Sequence, residues 1–151
     1  MAGPDRSHVS LTGLPGQGFH RAVGYLEEIL RECHLVLVAE VEDPSDRGAA
    51  DLRRIAQAIV PDLEEIREVF RSGIVASEGP GVDLEIPYSP QLAVTLAHLQ
   101  THLVQLRILG RRGSLLVESD PTVSALLTWI WEEAADQLHG RPPRPYPSDI
   151  D

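Results

Sequence analysis

Cysteine is almost missing from this chain, with Cys33 the only one in 151 residues. A single thiol excludes an internal disulfide framework and a cysteine-rich zinc site, and it suits a reducing cytoplasm. Long apolar runs are missing too. The longest, Leu35 to Ala39, is about one helical turn, against the roughly 20 residues that span a bilayer. Met1 to Gly18 holds no apolar run behind a basic segment, so neither a signal peptide nor a membrane anchor is expected. Positive charge is scarce: 13 basic residues face 23 acidic ones, for a net charge of −10. Such a field repels phosphate backbones and anionic membranes, which argues against nucleic acid and membrane as partners.

Catalytic motifs are also absent. No glycine-rich run ends in Gly-Lys-Ser/Thr or links a strand to a helix, so nucleotide binding has no support. No serine sits in a Gly-x-Ser-x-Gly elbow, and no Glu-x-x-His occurs, which disfavours hydrolase and di-iron chemistry. No cofactor is expected.

What the chain does contain is hydrophobic patterning: 42% apolar and 24% charged residues, ordinary for a globular domain of this length. Phe19, Ala22, Val23, Leu26, Ile29, Leu30, Cys33 and Leu37 recur at three- and four-residue spacing, predicting a long helix over 18–42. Glu42-Asp43-Pro44-Ser45-Asp46 stops it and caps the next. Leu52, Ile55, Ala56, Ile59, Leu63, Ile66 and Phe70 mark a second helical region that runs through Pro61. One kinked helix or two collinear ones both fit, and the pattern favours a break with Pro61 opening the second piece. Gly73 closes it as a C-cap. Ser89-Pro90 opens a third helix to about Leu109, and Asp120-Pro121 a fourth that ends before Gly140. Alternation over 8–12 and 82–86 predicts two strands pairing as a ribbon, and Leu115 to Val117 is a weaker extended segment. The expected fold is mainly α, a four-helix-bundle-like single domain over 1–151 with a small two-stranded β ribbon, and with 1–7 and 141–151 as flexible or extended tails.

Few side chains offer chemistry. His98 and His102 stand at i, i+4 on the third helix, a spacing that can present two imidazoles to a metal. The metalloprotease pattern would need a glutamate at Leu99. A carboxylate from the fourth helix, Glu132 or Glu133, is the candidate third ligand. The pairs Glu27-Glu28, Glu64-Glu65 and Glu132-Glu133 read as solvated faces, because adjacent helical residues point about 100° apart. Cys33 on an apolar stripe behaves as a small hydrophobe. Trp129 and Trp131 flank Ile130, so at least one ring lies at the edge of its stripe and marks a candidate contact surface. The tail Arg141-Pro142-Pro143-Arg144-Pro145-Tyr146-Pro147 reads as a polyproline segment that either serves as a partner's ligand or folds back. Trp129, Trp131, Arg141, Arg144 and Tyr146 are thus the candidate interaction residues.

Several segments together carry a resemblance: Leu14-Pro15 after a short strand, the helix with Tyr25-Leu-Glu-Glu-Ile-Leu-Arg-Glu-Cys-His-Leu-Val-Leu-Val, the extended Asp83-Leu-Glu-Ile-Pro, and the closing Trp129-Ile-Trp-Glu-Glu-Ala-Ala-Asp-Gln-Leu-His-Gly. In this order they resemble an uncharacterised group of small actinobacterial helical proteins encoded beside partner-switching regulators. Those regulators are an ATP-binding anti-sigma kinase, a sulphate-transporter-like antagonist domain and a serine phosphatase. The resemblance implies a regulatory or adaptor role beside such a kinase or antagonist domain; together with the missing motifs and the single cysteine, the expected protein is cytoplasmic and non-enzymatic and acts through protein–protein contacts, with self-association as part of that role. The alternative is a helical sensor that holds a small ligand or a metal.

Overall fold

The computed structural model describes residues 8–39, 45, 47–76, 81–111 and 120–147. Along the chain run strand β1 (His8–Pro15), helices α1 (Gly16–Val38) and α2 (Arg47–Gly73), strands β2 (Ile74–Ala76) and β3 (Gly81–Pro87), and helices α3 (Pro90–Arg111) and α4 (Pro121–Leu138). The mainly helical class is as expected, and the helix starts at Pro90 and Pro121 fall where the cap residues put them. Ser89 accepts the Leu92 N–H through its hydroxyl at 3.0 Å, and Asp120 accepts the Thr122 N–H at 2.8 Å. α1 ends at Val38 with an extended Ala39 as its cap, four residues short of the expected 42, while the stop residues 42–46, but for Ser45, and the segment 115–117 lie outside the described residues. At the end of α1, Arg53 from α2 donates to the Leu37 and Ala39 carbonyls, satisfying groups that a helix end leaves open.

α2 corrects one expectation. It is a single continuous helix with Pro61 inside it, where a break was favoured. Pro61 is exposed, so its ring faces solvent, and the apolar stripe holds its register on both sides with Ile59, Val60, Leu63 and Ile66 all buried. A proline in a helix interior costs about 3 kcal/mol. Each large aliphatic side chain buried recovers about 1.5–3 kcal/mol, so keeping the stripe in register outweighs relieving the proline.

The two-stranded ribbon is likewise corrected to a three-stranded antiparallel sheet in the order β1-β3-β2. Val9 pairs with Ile86, Leu11 with Leu84 and Leu14 with Val82, so the buried side chains of both strands share one face. The register slips between Leu11 and Leu14, where Gly13 adopts a φ of +72° that other residues reach only with strain. Its N–H donates to Asp83 at 2.8 Å. β2 follows α2 without a connecting residue. Gly73, expected as a simple cap, is the last helical residue, and a Cβ there would stand 3.0 Å from the Glu85 carbonyl of β3.

The bundle is only approximate, because the sheet is part of the core and not a cover over one end. α1 packs between α2 and α4, α2 packs on α3, and the sheet lies against α1, α2 and α4. Val9, Leu11, Leu14, Val82, Leu84 and Ile86 join the same buried cluster as the helical stripes. Among the described residues no helix is long and apolar enough to cross a membrane.

Candidate functional site

Where α1 begins, α2 ends and the sheet turns past both, an open groove of about 1050 Å³ lies on the surface. Its position follows from the connections. β1 runs straight into α1 at Pro15-Gly16 and α2 runs straight into β2 at Gly73-Ile74, so the two helix ends are drawn to one edge of the sheet without loops to fill the space. Phe19, Val23, Phe70, Ile74 and Val82 supply apolar lining. Phe19 and Phe70 meet at 5.6 Å between ring centroids, and Phe70 stacks on Trp131 at 6.1 Å, so an aromatic ladder runs from the groove into the core.

Cations line the same groove. Arg21, Arg67 and Arg71 stand there with the His20 ring, against one carboxylate, Glu27. Arg21 is held by Asp120, the cap of α4, and Arg71 lies 3.9 Å from Glu68 one turn back. Arg67 has no hydrogen-bond or ion-pair partner among the described residues. Every one of the 13 basic residues is an arginine and none a lysine. Guanidinium groups present forked donors that match carboxylate and phosphate oxygens. The start of α1, which has neither an acidic residue nor a side-chain cap in its first turn, adds its positive dipole end to the same field. On a chain of net charge −10, the groove gathers three arginines around an apolar floor, two of them paired with Asp120 and Glu68.

The histidine pair lies elsewhere. His98 and His102 sit on α3 with ring centroids 6.2 Å apart. Their electrostatic neighbour is Asp62 on α2, whose carboxyl is raised above its ordinary range, chiefly by burial; the two imidazoles pull it down and Glu65 adds to the rise. Asp62 Oδ2 and His102 Nδ1 are both buried without a hydrogen-bond partner among the described residues. Among the described residues no group of three His, Cys, Asp or Glu is placed to hold a metal ion.

Of the two candidate third ligands, Glu132 is exposed on α4 and Glu133 is engaged in a different structure. Glu133 is not part of a solvated face: only 1% exposed, it accepts from Gln137 Nε2 at 2.7 Å, from the Arg144 backbone N–H at 3.1 Å and from Arg144 Nε at 3.0 Å. Gln137 in turn exchanges two hydrogen bonds with the Ser10 backbone of β1. Residues 141–147 run extended over this cluster, with the Tyr146 N–H donating to the Thr12 carbonyl and the Tyr146 ring edge-on to Trp129 at 5.0 Å. Arg141 and Arg144 also pair with Asp136, at 2.9 and 3.3 Å. Trp129, Arg141, Arg144 and Tyr146 are therefore brought together by contacts within the chain, while Trp131 lies in the core at 4% exposure. Cys33 is buried as its stripe predicts, and burial, with Glu32 close by, pushes its thiol up to about 11.

No family model matches the chain, and no curated protein or solved structure matches it either. Its function has to be read from its own surface.

The groove is the feature that sequence reasoning missed. Arg67 and Arg71, four apart on α2, read as part of an ordinary charged helix face, and nothing local brings them to His20 and Arg21. No local pattern marks the groove, because Arg67 and Arg71 stand among Glu64, Glu65 and Glu68, and the start of α1 holds a single arginine, Arg21.

Proposed function

We propose that this protein is a non-enzymatic regulatory or adaptor domain that works by protein–protein contact, and that its partner docks in the groove of α1, α2 and β3. The observation that carries the reading is the groove itself, an apolar floor ringed by arginines on an otherwise acidic molecule. Such a surface complements an amphipathic segment with acidic side chains, in which apolar residues cover Val23 and Ile74 while carboxylates meet Arg67 and Arg71. The sequence resemblance supplies the partners to try first, an anti-sigma-type kinase and an antagonist domain of a partner-switching module. A cytoplasmic setting goes with that assignment.

The experiment compares the wild-type chain with Arg67→Glu/Arg71→Glu, both exposed positions, in binding to the purified kinase and antagonist domains. Binding to one of them, weakened at least tenfold by the double reversal while the melting temperature holds, is the expected result. Undiminished binding by the reversed variant removes the groove from the interface, and no binding to either domain removes the partner-switching assignment.

A second reading, a helical sensor for a small anionic ligand, has the groove volume in its favour, since small-molecule sites run to about 1,000 Å³. Native mass spectrometry separates the two: a non-covalent small-molecule adduct on the wild type that Arg67→Glu/Arg71→Glu loses favours the sensor.

A further inference from the structure

α3 differs from the other helices in having two apolar faces. Leu92, Leu96, Leu99 and Leu106 point inward and are buried. On the opposite side Val94, Ala97, Thr101, Val104 and Ile108 are all exposed, with Val104 at 56%, and they follow one another at spacings of three, four, three and four. That is the a/d spacing of a coiled-coil seam. The outer faces of α1 and α2 carry exposed Glu27, Glu28, Arg31, Arg54, Glu64 and Glu68 instead. A helix that is apolar all round is normally covered on every side, yet among the described residues α3 packs chiefly on α2 and only lightly on α4.

We infer that the outer face of α3 is a self-association surface, taking the same seam of a second copy of this chain. The charge pattern selects that occupant. Of the 23 acidic residues, none lies between Glu85 and Glu118, so α3 is the stretch where two chains of net charge −10 can approach without setting carboxylates against each other. The positions flanking the seam are Gln91, Ala93, His98, Gln100, Gln105 and Arg107, so no carboxylate stands beside it. Coiled-coil helices that choose a different partner do so through opposed charges at these flanking positions; here Arg107 stands at one end and no acidic residue anywhere along the seam, so two copies laid antiparallel set no like charges against each other. Tyr88, exposed just before α3, extends the patch at one end.

Size sets the strength. A 22-residue helix is about 33 Å long and 10–12 Å wide, so its outer face offers about 330–400 Å². That is roughly half of the ~800 Å² that each partner buries in a standard interface. The dimer is therefore weak and concentration-dependent.

Sedimentation equilibrium of the full chain, over about 1 µM to 1 mM as this small area requires, tests the inference. Wild type should move from 16.6 kDa towards twice that mass. Val104→Glu and Ala97→Glu should each raise the dissociation constant at least tenfold with the helical circular dichroism signal unchanged, while Arg54→Glu on α2 should leave it unaltered. A wild type that stays monomeric throughout overturns the inference, as does a dimer indifferent to both seam variants. A monomer in buffer that binds zwitterionic vesicles through Val104 overturns it in favour of a lipid surface.

Discussion

Cys33 has the most sharply defined chemistry of any single side chain here. Its thiol is buried on the inner stripe of α1 and pushed up to about 11 from an ordinary 9.0. Two pKa units cut the thiolate fraction near neutral pH about a hundredfold, so a disulfide reagent should react with the native protein at least that much more slowly than with the denatured chain. The same shift fixes a pH dependence. Below pH 9 the thiol is protonated in both states and contributes no slope. Between 9 and 11 the unfolded chain gives up the proton first, so stability falls as pH rises, and Cys33→Ala should flatten that part of a melting-temperature profile. Asp62 follows the same sign at lower pH, because burial favours its neutral form. Its identity was legible in the sequence only as one more acid after Pro61; its position beside His98 and His102 comes from the packing of α2 on α3.

α2 shows how a local rule yields to packing. Pro61 predicts a break from its own chemistry, and the helix nevertheless runs unbroken from Arg47 to Gly73. Because the proline lacks an N–H and strains the turn before it, Pro61→Ala should stabilise the fold by about 1–3 kcal/mol, read as an upward shift of the urea midpoint without a change of slope. The outcome that contradicts this account is a neutral or destabilised variant. β2 was missed for a related reason. Ile74–Ala76 is too short to show alternation and becomes a strand only because β3 offers an edge beside the end of α2. By contrast, the starts of α3 and α4 were legible, since Ser89 and Asp120 bond to backbone N–H groups two or three residues away and need nothing distant.

For the molecule as a whole, the C-terminal segment is a structural strap. It closes over α4 and β1 through Glu133, Arg144, Gln137, Trp129 and Tyr146. Ending the chain after Gly140 would strip the Arg144 backbone N–H and guanidinium from the Glu133 carboxylate and leave it Gln137 as its remaining partner among the described residues. An under-satisfied buried group costs about 1–3 kcal/mol and a lost aromatic pair about 0.5–1.5 kcal/mol. The truncated protein should melt about 5–15 °C lower, and Glu133→Gln in that background should recover part of the loss. A truncated chain with unchanged melting temperature would show that the strap carries no stability.

The sequence by itself determined the features whose causes lie within a few residues: the mainly helical class, the caps that open α3 and α4, the inward stripe of α1 that holds Cys33, and the two strands of clear alternation. Capping, periodicity and proline geometry act over one or two helical turns, so they can be read from neighbours. Only the tertiary structure decided that Pro61 stays inside a helix, that a third strand completes the sheet, that Glu133 is buried under Arg144, and that arginines from α1 and α2 face each other across one groove. Each of these sets residues far apart in the chain against one another, and burial and Coulomb energies depend on distance in space, which no local pattern encodes.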